Sequence, residues 1–513
     1  MTRQVIEEPD VIVVGAGNAA ACAALAARNG GARVLMLESA PFDERGGNSA
    51  YTAGAMRVAY AGVEQLRRIV PDITDEEARE IDFGSYTEDQ YFDDMFRVTE
   101  QRTDPDLTEA LVRRSFETLV WMRSQGVRFQ MSLGRQAYRV DGKFKFWGGL
   151  ACEVWGGGPG LIEALHRSCE SKGVRILHET MAISLLQDDA GVHGVRVRHG
   201  GRTLDVRAGA VVLACGGFES NAEMRARYLG PNWDLAKVRG TRFNTGLGIR
   251  MALAAGAMPY GHWSGAHAVA WDQNAPPFGD LTVGDNYQKH SYPFGIVVNQ
   301  RGERFLDEGA DFRNYTYAKY GREILQQPGL CAWQVFDATV AHLLRDEYRI
   351  RQVTKVKAGS LEELARGMEG MDVKRFLATV AEFNAAVRRD RPFNPAIKDG
   401  RAAEGLAVPK SNWANPLDAP PFEAYAVTTG ITFTFGGLKV SARAEVQDIA
   451  GRSIPGLMAA GELVGGLFFH NYPGGTGLTS GAVFGKLAGE SAAAYALRRT
   501  EPIGAADSQT QHS

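Results

Sequence analysis

No stretch of this chain offers the roughly eighteen uncharged apolar residues that a membrane-crossing helix requires, so an integral membrane protein is not expected. Cysteine is scarce: Cys22, Cys152, Cys169, Cys215 and Cys331 are scattered and odd in number, and no two are spaced Cys-x-x-Cys. That argues against a disulfide framework or a cysteine-ligated metal or iron–sulfur site, and reads as reduced thiols in a cytoplasmic protein. No grouping of His, Cys and acidic residues has metal-ligand spacing either. Charge of one sign is lacking: 57 Lys and Arg stand against 60 Asp and Glu, which disfavours a nucleic-acid or anionic-membrane surface. Residues 1–9 are polar and acidic and carry no apolar core of a secretory signal. The small, polar residues 502–513 read as a disordered tail.

What the chain has in plenty is glycine, 60 of 513 residues, much of it clustered at turns where backbone can approach a ligand. The length asks for two or more domains. The run from Asp10 to Val14 is β-branched and enters Gly15-Ala16-Gly17-Asn18-Ala19-Ala20; an alanine-rich helical stretch follows, then an apolar run over 33–37 ending on Glu38-Ser39-Ala40. Gly15 permits a tight turn, Gly17 lets backbone approach a pyrophosphate, and Ala20 keeps helix and strand close. The helix N-terminus offers N–H donors to phosphate. Glu38 lies 23 residues after Gly15, in range for a ribose 2′-hydroxyl. The context makes this a site for an ADP-containing dinucleotide.

Residues 63–124 read as helices broken at Pro71 and Asp104-Pro105, 127–160 as irregular loops, and 161–172 as an amphipathic helix. Residues 174–177, 182–186, 192–198 and 203–206 alternate like strands of a small antiparallel unit. Residues 210–218 form a second strand-and-glycine turn without Gly-x-Gly-x-x-Gly, and so a further contact of the same dinucleotide domain. Residues 257–294 read as loop and hold His262, Trp263, His267, Trp271, Lys289, His290 and Tyr292. A glycine-rich pattern returns from Phe433 to Gly437, at Gly461-Glu462, and at His470 to Gly481, which opens a last helix over 482–497. The N-terminus of that helix suits negative charge on a reduced isoalloxazine.

Gly46-Gly47-Asn48-Ser49, Ala214-Cys215-Gly216-Gly217, Val298-Asn299 with Gly302 to Phe305, and Ala460-Gly461-Glu462, with the first glycine motif, resemble the fumarate reductase/succinate dehydrogenase flavoprotein superfamily along nearly the whole chain. The segments Gly261 to Ser264, Gln288 to Gly295 and His470 to Gly475 look like its tricarballylate dehydrogenase branch, and the 3-ketosteroid Δ1-dehydrogenases are similar in a Tyr-Pro-Gly. The resemblance implies an α/β fold: a Rossmann-like FAD-binding domain in two segments, 1–255 and 431–501, with an inserted α+β capping domain over 256–430. It implies a substrate between cap and isoalloxazine, and hydride exchange at N5 with a proton moving on the opposite face. Asn48 stands where covalent members carry a flavin-linked histidine, so FAD is expected to be non-covalent. Phe433, Tyr472, Phe312, Gln288 and Ser291 stand where fumarate reductases carry clamping or relay residues; only His267 is retained.

Expected FAD contacts follow: Gly15, Gly17, Asn18, Ala19, Ala20, Glu38, Ser39, Ala40, Gly46, Gly47, Asn48, Ser49 and Gly54; Met181 and Ala182 at the adenine; Ala214, Cys215, Gly216, Thr245 and Gly246; Gly461 and Glu462 at the ribityl chain; Gly477, Leu478 and Thr479 at the pyrimidine edge. The chemistry candidates are Arg313, a carboxylate clamp; His267; the Lys289–His290 pair, with imidazole titrating near neutrality; Tyr472; and Tyr317. The leading expectation is a dehydrogenase for a C–C single bond of a small, tricarballylate-like carboxylate, passing electrons to a quinone-linked or iron–sulfur partner. The second is an ene-reductase or steroid-like ring dehydrogenase, favoured by Trp147, Trp155, Trp263 and Trp271. The third is an electron-transfer subunit without a substrate.

Overall fold

A computed structural model describes residues 8–498; the tail expected over 502–513 lies outside the described residues. The strand β1 (Val11–Val14) is all aliphatic because both its faces are buried. It turns into α1 (Asn18–Asn29), with Gly17 as N-cap, and the chain returns as β2 (Val34–Leu37). Later come α2 (Gly157–Ser171), β3 (Arg175–Leu177), β4 (Ala210–Leu213), β5 (Pro259–Asp272), β6 (Ile296–Val298), α3 (Tyr317–Leu325) and β7 (Ala332–Phe336). The chain closes with β8 (Phe422–Leu438), β9 (Glu445–Gln447), β10 (Ser453–Ala459) and α4 (Thr476–Arg498).

One six-stranded sheet runs β9–β10–β4–β1–β2–β3, so both ends of the chain supply it. All its pairs are parallel except β9–β10. The helix α4 lies tightly on α1, and glycine makes this approach: a Cβ on Gly489 would stand 2.1 Å from the Ala23 carbonyl oxygen. The helices over 63–124 carry capping boxes at Thr74 and Thr87 and an Asp104 cap before Pro105.

A second sheet is built around β8, which pairs antiparallel with β5 and β7 and runs unbroken across residue 430. Two irregularities in the β5–β8 register place the site. Residues 262–265 loop out between the pairs Gly261–Gly436 and Ala266–Thr434. The register then skips Thr432 between His267–Phe433 and Ala268–Ile431, so that four successive residues of β8, Thr432 to Phe435, reach one cavity. Bulges of this kind re-aim side chains beside functional sites.

Three sequence expectations need correction. Residues 259–272, read as loop, are the fourteen-residue strand β5: its glycines and tryptophans hide the period because its C-terminal half is buried on both faces. Residues 127–160 contain short strands, among them Phe129–Met131, Ala137–Val140, Lys143–Phe146 and Cys152–Val154. Residues 175–177 do not join the antiparallel unit; they follow α2 as a crossover and extend the parallel sheet beside β2, while that unit comprises Thr180–Asp188, Gly191–His199 and Arg202–Arg207.

Candidate active site

The two sheets enclose a cavity with about 1970 Å³ of empty space, its open mouth included. Its floor is mostly backbone. Gly15 has φ +111°, and a Cβ there would stand 2.3 Å from the Ala214 carbonyl oxygen, so β1 and β4 can open a groove only if residue 15 lacks a side chain. His166 Nε2 lies 2.7 Å from the Ala16 carbonyl oxygen; burial pulls this imidazole down to about 4, so it is neutral and donates, bracing the turn from below. Asn18 donates its backbone N–H to Ser49 Oγ at 3.1 Å and its Nδ2 to the Leu478 carbonyl at 2.8 Å. Glu38 ends β2 in the cavity wall, accepting from Ala40 N at 2.9 Å; burial raises its carboxyl.

Of the expected FAD contacts, Gly15, Gly17, Asn18, Ala19, Glu38 and Ser39 line this cavity, with Gly47, Asn48, Ser49, Met181 and Ala182. Ala214, Cys215, Gly216, Thr245, Gly461, Glu462, Gly477 and Leu478 do so from the other side. Six do not line it. Ala20 is buried against the core. Ala40 offers its N–H to Glu38 instead of to a ligand. Gly46, Gly54 and Gly246 form turns behind the wall, packed on Ile162, Gly157 and Met224. Thr479 donates its hydroxyl to the Arg57 carbonyl at 2.8 Å. These six support the wall and do not form it.

Side chains make the roof. Arg239 donates Nε to Asp285 Oδ1 at 2.7 Å and Nη1 to Thr432 Oγ1 at 3.1 Å, so its charge is matched. Arg313 is as deeply buried and has no acid partner among the described residues. Its Nη2 donates to the Arg135 carbonyl at 3.1 Å, its Nη1 to His290 Nδ1 at 3.4 Å, and its Nε to nothing. The guanidinium lies 5.3 Å from the Trp147 ring centroid. Burial and the nearby Arg345 cation pull Arg313 down to about 10. Because Arg313 donates to Nδ1, the His290 proton sits on Nε2, which has no partner. His267, 1% exposed, also has both ring nitrogens unpartnered. It stacks on Phe433 and meets Tyr317 and Tyr472 edge-on, with centroids at 5.0, 5.0 and 4.8 Å. The Tyr317 and Tyr472 hydroxyls hydrogen-bond each other, and burial raises both phenols. Burial keeps His267 and His290 neutral, both well below the usual imidazole range.

Thus Arg313, His267, His290, Tyr317 and Tyr472 meet over one cavity. Lys289 does not: it points away, with Nζ 3.6 Å from Asp272 Oδ2 and hydrogen bonds to the carbonyls of Asn286, Tyr287 and Gln288. Neighbours in sequence face opposite ways here, and Lys289 serves as an internal tie. Sequence reasoning missed Arg239, Asp285, Arg135 and Gln136, which also line the cavity. The only local signal was an arginine beside the Gly240-Thr241 turn.

A turn, helix N-terminus and terminal acid at one end, with a flat aromatic-walled space at the other, fit FAD. The sequence model of the FAD binding domain family matches residues 10–478. The chain belongs to the FAD binding domain family. Within that family it falls among the fumarate reductase/succinate dehydrogenase flavoproteins, FAD-dependent oxidoreductases acting on CH–CH groups. A protein of Shewanella frigidimarina (strain NCIMB 400), described as a probable fumarate reductase Ifc3, is 30% identical over 96% of this chain and 76% of its own length. A vinyl phenol reductase of Lactiplantibacillus plantarum is 26% identical over 96% of this chain and 98% of its own. The solved structure of a 3-ketosteroid Δ1-dehydrogenase from Sterolibacterium denitrificans superposes with a TM-score of 0.72 at 22% identity, over 95% of this chain and 99% of that one; it shares the fold. Among the described residues no helix is long and apolar enough to cross a membrane, and no cluster of His, Cys or acids fits a metal.

Proposed function

We propose that this flavoprotein reduces a carbon–carbon double bond conjugated to a single carboxylate, in a substrate with a flat apolar body. One observation carries the reading: Arg313 is a buried cation with no acid partner, while the walls around it are aromatic. A buried unpaired charge is costly, and a substrate carboxylate removes the cost through charge-assisted hydrogen bonds. His290 Nε2–H lies beside it as a second donor. Tricarballylate fits less well, because Arg239 is already neutralised by Asp285 and two further carboxylates would face Phe433, Phe468 and Tyr472.

FAD, when bound, supplies hydride exchange to a carbon of the substrate. Gly15, Gly17, Glu38, Glu462 and the start of α4 would hold it without a covalent bond, Asn48 being occupied by hydrogen bonds to Glu219 and the Thr432 carbonyl. The proton comes from this chain. Tyr317 donates its hydroxyl proton to the second carbon, and Tyr472 steadies the resulting phenolate through the hydroxyl contact. At neutral pH both phenols keep their protons and both imidazoles are neutral, so the Tyr317 hydroxyl has a proton in place to transfer, and the redox partner sets the direction. Reduction needs electrons from a donor, and a quinone-linked or iron–sulfur partner is one such source. The test is anaerobic titration of the oxidised enzyme with a 3-substituted acrylate, tricarballylate and a steroid enone. A perturbed flavin spectrum with the acrylate alone is expected; tight binding of tricarballylate or of the uncharged steroid would refute the reading.

A further inference from the structure

Behind the floor of the cavity lies a carboxyl pair that this reaction does not use. Glu219 follows the Gly216–Gly217 turn after β4 and is fully buried, behind Asn48, Asn244 and Thr434. Its Oε1 accepts from Asn48 Nδ2 and from Asn244 Nδ2, each at 2.6 Å. Its Oε2 meets no donor, and the carboxyl group lies against that of Glu462. Glu462 itself lines the cavity and accepts on Oε1 from Thr434 N at 2.8 Å and Thr434 Oγ1 at 3.2 Å. Gly217 makes room for the pair, since a Cβ there would stand 2.1 Å from Glu462 Oε1.

Two adjoining carboxylates, one of them fully buried, are not both charged near neutrality, so one proton is shared between them. The donors decide where it sits. Two amide N–H groups on one oxygen of Glu219 suit the carbonyl of a protonated acid, leaving Oε2 to carry the hydrogen. Burial and the neighbouring Glu462 raise Glu219 furthest. Among the described residues no cation forms an ion pair with either carboxyl: Arg225, packed alongside, gives its donors to the backbone carbonyls of Glu219, Trp233, Asp234 and Ala236. The other titratable neighbour of Glu462, the Cys215 thiol, is pushed up to about 12 by burial and stays neutral.

We propose that Glu219 is a positioning residue for the cofactor: it holds the single proton of the pair and donates it to Glu462, which fixes the Glu462 carboxylate as a singly charged acceptor for the hydroxyl-bearing chain of FAD. The inference rests on the FAD site and is independent of the substrate reading. It carries a pH signature. As pH rises and the shared proton leaves, two negative charges repel and Glu462 is displaced, so FAD affinity falls. A glutamine at 219 still accepts from both asparagines and donates its amide N–H to Glu462 at every pH.

The experiment is fluorescence titration of apoprotein with FAD from neutral to alkaline pH, with infrared spectra of the holoprotein. Glu219→Gln is expected to bind FAD within about twofold of wild type at neutral pH and to lose the alkaline decline, while Glu219→Leu weakens binding about tenfold. A protonated-carboxyl band is expected in mildly alkaline wild-type holoprotein and is absent from Glu219→Gln. If Glu219→Leu does not fold, the glutamine variant and the infrared band decide. An unchanged alkaline decline in Glu219→Gln, or no such band in wild type, would overturn the proposal.

Discussion

On the floor of the cavity the ligand-facing groups are mostly backbone shaped by glycine turns; on the roof they are charged and aromatic side chains from β5, β8, the start of α3 and the turns before β5, α3 and α4. Much of the floor's chemistry is set by backbone geometry, so a substitution at one of its glycines acts by filling space. The roof's chemistry depends on which charges are matched inside the protein. Arg239 and Arg313 make the contrast: both are buried, but one is paired with Asp285 and belongs to the wall, while the other is unpaired and is free for a ligand.

Removing a proton donor should have the largest effect. Tyr317→Phe is expected to lower kcat by about 10² to 10⁴ with KM little changed and the flavin spectrum intact; a loss confined to KM would turn Tyr317 into a binding group. The two arginines should then separate in a thermal melt. Arg239→Met leaves the Asp285 carboxylate with only the more distant Arg135, 3.9 Å away, and should cost about 3 kcal/mol of stability, whereas Arg313→Met relieves an unpaired charge and should leave the melt unchanged or raised. In steady-state kinetics the order inverts: Arg313→Met loses about 10²-fold in kcat/KM, roughly 2–3 kcal/mol of charge-assisted hydrogen bonding, mostly through KM. Comparable melts for the two variants would erase the distinction drawn between them. The pH dependence sharpens it further. Arg313 is charged below about 10, so carboxylate affinity should be flat through neutrality and fall as pH rises through that value, toward about tenfold per unit. His267 and His290 are already neutral and should add no inflection near the usual imidazole range, which titration of ligand affinity against pH will show.

The floor was legible in the sequence because backbone chemistry leaves local marks. A strand that is all aliphatic, Gly15 and Gly17 at fixed spacing and an acid at Glu38 describe one another, and Gly461-Glu462 repeats the strand-to-acid pattern. Where the mark was glycine alone, as at Gly46, Gly54 and Gly246, the sequence could not say whether the turn faces the cavity or backs it. The roof was less legible. His267, Arg313 and Tyr472 were recognisable, but Lys289 was paired with His290 although adjacent side chains diverge. Arg239 and Asp285 stand 46 residues apart and meet only through the fold. The aim of Thr432 to Phe435 depends on a register skip between β5 and β8, a property of two distant segments together. Glu219 gave no signal of its own, since a buried acid is exceptional only once its neighbours are known.

A carboxylate held by Arg313 beside the bond that is reduced is the central feature of the proposed chemistry. The most direct measurement is anaerobic stopped-flow mixing of the photoreduced enzyme with a 3-substituted acrylate and, separately, with its methyl ester. The acid is expected to reoxidise the flavin about 10²-fold faster than the ester at equal concentration, and Arg313→Met to abolish that ratio. An ester that reacts as fast as its acid in the wild-type enzyme would contradict the account.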